Sequence, residues 1–389
     1  MLLYVHFSGD DNMKHRKRLH QRKANKQRKI IILSLFTTLL CLSVSYSAFS
    51  TNINLSAKGN LKDKSRTIQS WSETSNEDFH TDFYRANIIS VTFLDSAIVP
   101  NNAAASWDVS ETKDKGVMAC VIENNSKTGK YDLYIGAKGG VIANEDSSYL
   151  FYTFCNIISI NFNDNFNTSH TLNMNAMFGN LLNDKFMELE TINFGNKFDT
   201  SNVINMQAMF ARCYKLTSLD LRNFNTSNVT NMYGMFYGCN NLINLDLSNF
   251  DTKNVTMMNR MFLGCTSLTN LDLSNFNTSK VTDMEAMFSE CSNLENLNIS
   301  NFDTSNVISM GGTTGGWYGM FAGCYSLIEL NLYSFDTSKV TDMSNMFYDT
   351  EKLKNIYVSS KWTTQNANIT DMFTASNISS VTTGKCSNQ

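Results

Sequence analysis

Proline is almost missing: Pro100 is the only one among 389 residues. This excludes collagen-like chains, proline-rich linkers and PxxP ligands. Because Pro100 stands in Val-Pro-Asn-Asn, it also excludes a C-terminal LPxTG sorting motif. Charge is thin, with 17% of residues charged where an average globular chain carries about 25%. Histidine is scarcer still. Of five, His6, His15 and His20 lie in the N-terminal segment, which leaves His80 and His170 in unrelated polar contexts. No Ser/His/Asp or Cys/His grouping can be assembled from them. Nine cysteines contain no CxxC pair and no neighbouring histidine, so a zinc site has no ligand set. The phosphate loops GxxxxGK[ST] and GxGxxG are absent as well. No cofactor and no metal are implied, and the chain is expected not to be an enzyme; paired carboxylates of glycosidase type stay open as a rival. Hydrophobic residues, at 42%, suffice for a core, which argues against wholesale disorder.

The N-terminus has the three parts of an export signal. Residues 14–29 are strongly basic, Ile30 to Val44 is apolar, and Ser45-Tyr46-Ser47-Ala48 supplies small residues for cleavage after Ser47. Met13 is a candidate true start. The alternative is an uncleaved anchor, since Ile30 to Phe49 is just long enough to span a bilayer; membrane contact is expected only through this segment. Cys41 follows Leu40, which rules out lipid attachment there. Residues 1–47 hold nine bases and two acids, so their removal takes the net charge from −3 to −10. A chain that acidic is not expected to bind nucleic acid, because phosphates require a basic face. It is expected to be exported, secreted or at the cell surface.

From residue 150 the chain repeats itself, and repeats outrank local motifs. Met-Phe recurs with its phenylalanine at 178, 210, 236, 262, 288, 321, 347 and 373, spaced by 32, 26, 26, 26, 33, 26 and 26 residues. Leu150-Phe151 is a degenerate earlier start. In the unit from Leu242, LxxLxL places Leu245 and Leu247 on one side of a short strand and Asp246 on the other. Asn249-Phe250-Asp251-Thr252 is a turn with an apolar plug. Val255, Met258, Met261 and Phe262 have the spacing of one or two turns of α- or 3₁₀-helix. One unit buries about nine apolar side chains, roughly 20–25 kcal/mol, against near 40 kcal/mol to order it. Neighbours must therefore share the core, as in a solenoid.

The string Leu-x-x-Leu-Asp-Leu-Ser-Asn-Phe-Asp-Thr-Ser-Asn-Val-Thr-x-Met-x-x-Met-Phe-x-x-Cys, clearest between Leu219 and Cys324, resembles the BspA-like leucine-rich-repeat surface proteins. The resemblance covers residues 150–373. The stretch from Trp107-Asp108-Val109-Ser110 to Gly140-Val141-Ile142-Ala143-Asn144 is similar to the segment that precedes such repeats. The resemblance implies bacterial surface display and adhesion. The expected fold is an α/β repeat solenoid, leucine-rich-repeat-like, with a short strand and a short helix or 3₁₀ turn per 26 residues, preceded by a small β-rich cap. The expected divisions are a signal peptide (1–47), a polar tether or loosely attached strand (48–86), the cap (87–149), eight to nine repeats (150–373) and a polar tail or short C-terminal cap (374–389). Within the cap, Ile88 to Leu94, Val117 to Ile122 and Tyr131 to Ile135 are rich in β-formers.

The expected repeat core comprises Leu219, Leu221, Leu245, Leu247, Leu271, Leu273, Phe236, Phe262 and Phe288. Cys213, Cys239, Cys265, Cys291 and Cys324 occupy one column, three residues after each phenylalanine. They read as buried free thiols that pack as small hydrophobes; pairing among Cys120, Cys155 and Cys386 stays open. Asp220, Asp246 and Asp272, continued by Asn298 and Asn331, form an outward column on the strand face. Stacked carboxylates repel, so compensation by cations, by ligand or by backbone bonds at the turn is expected. Gly311 to Trp317 is a seven-residue insertion that brings Trp317 and Tyr318 to a loop. Asp220, Asp246, Asp272, Asn298, Asn331, Trp317 and Tyr318 are the candidate ligand contacts, and an extracellular protein or glycan is the expected partner. The rival role is structural, an envelope protein without a specific ligand. On this register, Leu245→Ala costs stability, and Asp246→Ala leaves it unchanged or slightly raised.

Overall fold

The computed structural model describes residues 64–182, 187–312 and 318–384. The basic and apolar N-terminal run, with its cleavage site, lies outside these residues, as do Trp317 and Cys386. The described residues are mostly short strands and turns, and no sheet closes into a barrel.

The N-terminal part is a sheet that runs on into the repeats. Strands β1 (Ile88–Leu94), β2 (Ala105–Asp108), β3 (Val117–Glu123) and β4 (Tyr131–Ala137) are followed by β5 (Val141–Ile142). β2, β3 and β4 are antiparallel neighbours, and β1 lies parallel to β4. On its other side β1 pairs in parallel with β6 (Ser159–Asn161), which in turn pairs with β8 (Thr191–Asn193). The first repeats thus inherit their register from the cap. β7 (Phe166–Asn167) pairs with β5.

Residues 64–86 are not the polar tether that their composition suggests. They form two 3₁₀ turns, Lys64–Arg66 and Asp78–His80, and lead into helix α1 (Asp82–Asn87). Thr67 and Ile68 bridge to Ile142 and Ser110. Ile68, Trp71, Phe79 and His80 are all buried. The His80 ring stacks on Trp71 at 4.4 Å, donates from Nε2 to the Leu150 carbonyl at 2.9 Å and places Nδ1 3.1 Å from Asp78. Four large side chains fill the end of the core, and burial of that apolar area outweighs the polar residues between them. Further on, β9 (Asn270–Asp272) pairs with β10 (Asn296–Asn298), and β11 (Glu329–Leu332) with β12 (Asn355–Val358) and β13 (Thr382–Thr383), all in parallel. β13 belongs to the segment expected as tail, so the ladder continues past residue 373.

Neighbouring repeats are also joined on a second limb, where single parallel bridges run from Asp146 through Asn173, Asn205, Asn231, Met257, Asp283, Ser309 and Asp342 to Asn368. The expected helix of this limb is absent from the described residues of the repeats, so the α/β assignment is corrected to strands and turns. An α-helix requires each N–H to bond within its own turn. Here alternate N–H groups leave the repeat: Met206, Ala208, Phe210 and Arg212 donate to carbonyls of Asn231, Tyr233, Met235 and Tyr237. The remaining bonds close single turns, such as Met209 to Met206 and Cys213 to Phe210. Ala208 and Arg212 have φ of 51° and 58°, a left-handed geometry that ends a right-handed helix wherever it recurs.

The core is a set of columns. Phe210, Phe236, Phe262, Phe288, Phe321, Phe347 and Phe373 stack with ring centroids 5.5–5.8 Å apart and planes within 11°. Flanking methionines such as Met232, Met235, Met258 and Met261 are fully buried. A buried threonine column stitches the turns. Thr252 Oγ1 donates to the Asn277 carbonyl at 3.0 Å and accepts the Asn277 N–H at 2.8 Å; Thr200, Thr226, Thr278, Thr304 and Thr337 donate to the next repeat in the same way. The asparagine before each plug phenylalanine points the other way. Asn249 Nδ2 donates to the carbonyls of Leu221 and Phe224, and Asn275 to those of Leu247 and Phe250. The fixed threonine and pre-phenylalanine asparagine of the repeat therefore make inter-repeat bonds.

Candidate functional site

Of the expected core, Leu221, Leu247, Leu271, Leu273, Phe236, Phe262 and Phe288 are buried, Leu245 is 9% exposed, and Leu219 packs half-buried against the rest. The five column cysteines are fully buried. Each thiol donates to a carbonyl of the preceding phenylalanine column, for example Cys239 to Phe210 at 3.1 Å and Cys265 to Phe236 at 3.2 Å. Burial pushes the Cys239 and Cys291 thiols up to about 12, the thiolate being the form that apolar surroundings disfavour.

The outward column lies where its spacing predicts. Asp220, Asp246 and Asp272 are exposed, and Asn298 and Asn331 half-buried. Their side chains, however, are engaged. Each accepts the backbone N–H two residues on: Arg222 at 3.2 Å, Ser248 at 3.0 Å, Ser274 at 2.9 Å, Ser300 at 3.3 Å and Tyr333 at 3.1 Å. This is the Asx turn, in which a short side chain stands in for a backbone acceptor. Arg222 also grips Asp220 with Nε at 2.9 Å and Nη2 at 2.7 Å, and these bonds pull Asp220 down to about 2. Hydrogen bonds from Ser248 and Ser274 lower Asp246 and Asp272. The repulsion within the column is thus offset at the turn itself, and the expectation for Asp246→Ala changes sign: its removal leaves an N–H without its acceptor. Tyr318 is 37% exposed and belongs to the methionine limb, so it does not join the acidic column.

One member of the column faces a cavity. Asp220 lines a hollow of about 500 Å³ with Asn163, Asp164, Asn193, Asn196 and Asn223, above the side chains of Ile192, Phe194, Phe198 and Phe224. The hollow originates in turn length. Phe162–Phe166 and Phe194–Phe198 are four residues apart, whereas Leu221–Phe224, Leu247–Phe250 and Leu273–Phe276 are three apart. The repeats on either side of the hollow thus differ by one residue in the strand-side turn. β8 is accordingly the edge of its sheet. Asn223 occupies the column of Asn249 and Asn275, yet among the described residues its amide makes no bridge to the preceding turn. The extra residue of that turn takes another course: Gly195, at φ 67°, sits against Asp164, and Asn196 bonds Asp164 through its backbone N–H and its amide.

Asn163, Asp164, Asn193, Asn196 and Asn223 were not among the residues singled out from sequence. The change of interval from four to three was the signal available. A second group also escaped notice, on the methionine limb: Arg260 bonds Glu285 at 2.7 Å and the Tyr233 hydroxyl at 3.2 Å, and Arg212 bonds the Tyr237 hydroxyl at 3.0 Å. Among the described residues, no cluster of three or more His, Cys, Asp or Glu side chains has the arrangement of a metal site.

A family model described as "Mycoplasma protein of unknown function, DUF285" matches residues 146–271 and again 265–384. No curated protein matches the chain. Among solved structures, it is similar to a leucine rich cell surface protein from Faecalibacterium prausnitzii at 13% identity, over 82% of this chain and 91% of that one, with a TM-score of 0.20.

Proposed function

We propose that this chain, which belongs to the DUF285 family, is an exported surface protein of the BspA-like leucine-rich-repeat type that binds an extracellular macromolecule. On this reading the repeats form a solenoid, and its strand-side face is the binding surface. The observation that carries it is the contrast between columns. The buried threonines and most turn asparagines are consumed in holding repeats together, while at the change of turn length asparagines and Asp164 surround an open hollow beside Asp220. Surface loops and hollows on a rigid scaffold are where recognition concentrates. No catalytic role is proposed: His80 is buried between Trp71 and Phe154, and the column thiols are sealed in the core.

The test is presentation of the full chain to immobilised matrix proteins and glycans. Saturable binding that is lost on mutation of the strand-side face supports the reading; binding no greater than that of an unrelated acidic repeat protein overturns it. The Asx-turn use of Asp246 and Asp272 favours the rival role, a structural envelope protein, and that second result would select it. Export is tested separately by N-terminal sequencing of the native protein, which should begin near Ala48. Recovery of residues 13–40 would exclude cleavage.

A further inference from the structure

We propose that the hollow at the change of turn length is a saccharide subsite, selective for neutral sugars over anionic ones. The inference rests on the binding role proposed above and names the ligand class. Its volume, about 500 Å³, lies within the range of small-molecule clefts, about 300–1,000 Å³. The polar wall consists of carboxamides and the carboxylates of Asp164 and Asp220; Arg222 is bonded to Asp220, and among the described residues no lysine or arginine itself lines the hollow. Carboxamides offer donors and an acceptor together, and carboxylates accept. Hydroxyl groups, which donate and accept, match such a wall, and sulfate or carboxylate groups do not.

Two exposed side chains at the hollow are open to a ligand. Among the described residues the amides of Asn163 and Asn223 have no protein partner, although the equivalents of Asn223 in the next two repeats each make bonds to the preceding turn. The floor is closed. Phe224 contacts Phe194 at 5.1 Å and Phe198 at 5.8 Å between ring centroids. An added peptide strand would need about 4.8 Å on each side of itself, so roughly 9.6 Å between the repeats, and the stacked floor denies that separation. A compact ligand that sits above the rings fits instead.

The experiment is titration of the full chain with neutral oligosaccharides of hexose and N-acetylhexosamine units, with a sulfated polysaccharide and an extended peptide library alongside. Asn163→Ala and Asn223→Ala should each weaken neutral-sugar binding at least tenfold at unchanged melting temperature. Asn249→Ala, in contrast, should lower the melting temperature and leave affinity within twofold. The proposal fails if no neutral sugar binds saturably, if both asparagine variants bind like the wild type, or if the sulfated polysaccharide or a peptide occupies this hollow. Retained binding to an immobilised macromolecule in any of these cases would leave the broader function standing without the sugar site; loss of all binding would remove both.

Discussion

At the scale of single residues, the adjacent pair Leu245 and Asp246 separates core from surface. Leu245→Ala opens a void between neighbouring turns and should cost about 2–5 kcal/mol, toward the lower end because the side chain retains 9% exposure. Asp246→Ala should cost less, but should destabilise, since the Ser248 N–H loses its acceptor. Asp246→Asn preserves that acceptor and should restore stability. Chemical denaturation of the three variants checks the order. A larger loss for Asp246→Ala than for Leu245→Ala would mean that the strand is read one residue out of register. The carboxylate also has a pH signature. Asp220, held at about 2 by Arg222, contributes stability above the ordinary carboxylate range near pH 3.8, and this is lost as pH falls toward 2. The contribution is small because both partners are largely exposed.

At the scale of the element, the threonine column and the N-terminal segment are the informative cases. Thr252→Val keeps the shape and removes the hydroxyl, which leaves the N–H and carbonyl of Asn277 without partners inside the turn. Thr252 is 1% exposed, so the cost should be about 1–3 kcal/mol, measured by urea denaturation. A value near zero would mean that water replaces the hydroxyl. Phe79 is fully buried, and Phe79→Ala should cost about 3–5 kcal/mol. Unchanged stability in that variant would restore the polar-tether reading of residues 48–86. The methionine limb carries a different lesson. Its apolar spacing suits a helix, yet left-handed residues such as Ala208 and Arg260 and N–H groups directed at the next repeat give a chain of single turns.

At the scale of the molecule, the thiol column couples stability to alkaline pH. An ordinary thiol ionises near pH 9.0, whereas burial holds Cys239 and Cys291 at about 12. In the unfolded chain these thiols lose protons first. The stability they contribute is therefore complete below pH 9 and falls as pH rises from 9 toward 12, by about 1.4 kcal/mol per pH unit per thiol. Replacement of Cys239 and Cys291 by alanine should flatten the fall in melting temperature over that window. Polar thiol reagents should label the column only at the rate of unfolding. Fast labelling of folded protein, or disulfides between column members, would contradict the packing.

The sequence alone determined the period, the apolar columns and the outward acidic row, because these follow from spacing and side-chain polarity. It also marked Ile88 to Leu94, Val117 to Ile122 and Tyr131 to Ile135 as β-forming, and strands lie there. Tertiary structure alone decided three things. Residues 64–86 are drawn into the core because the first repeat presents surface at Leu150 and Phe154 that Phe79 and His80 can cover, a partner that local composition does not reveal. The Met-Phe segment is not helical because inter-repeat hydrogen bonds compete for its N–H groups, and those exist only in the stack. The hollow arises because a one-residue difference in turn length matters only once two unequal turns lie side by side. Within one repeat that residue is an ordinary surface insertion; against its neighbour it opens the space that Asn163, Asp220 and Asn223 surround.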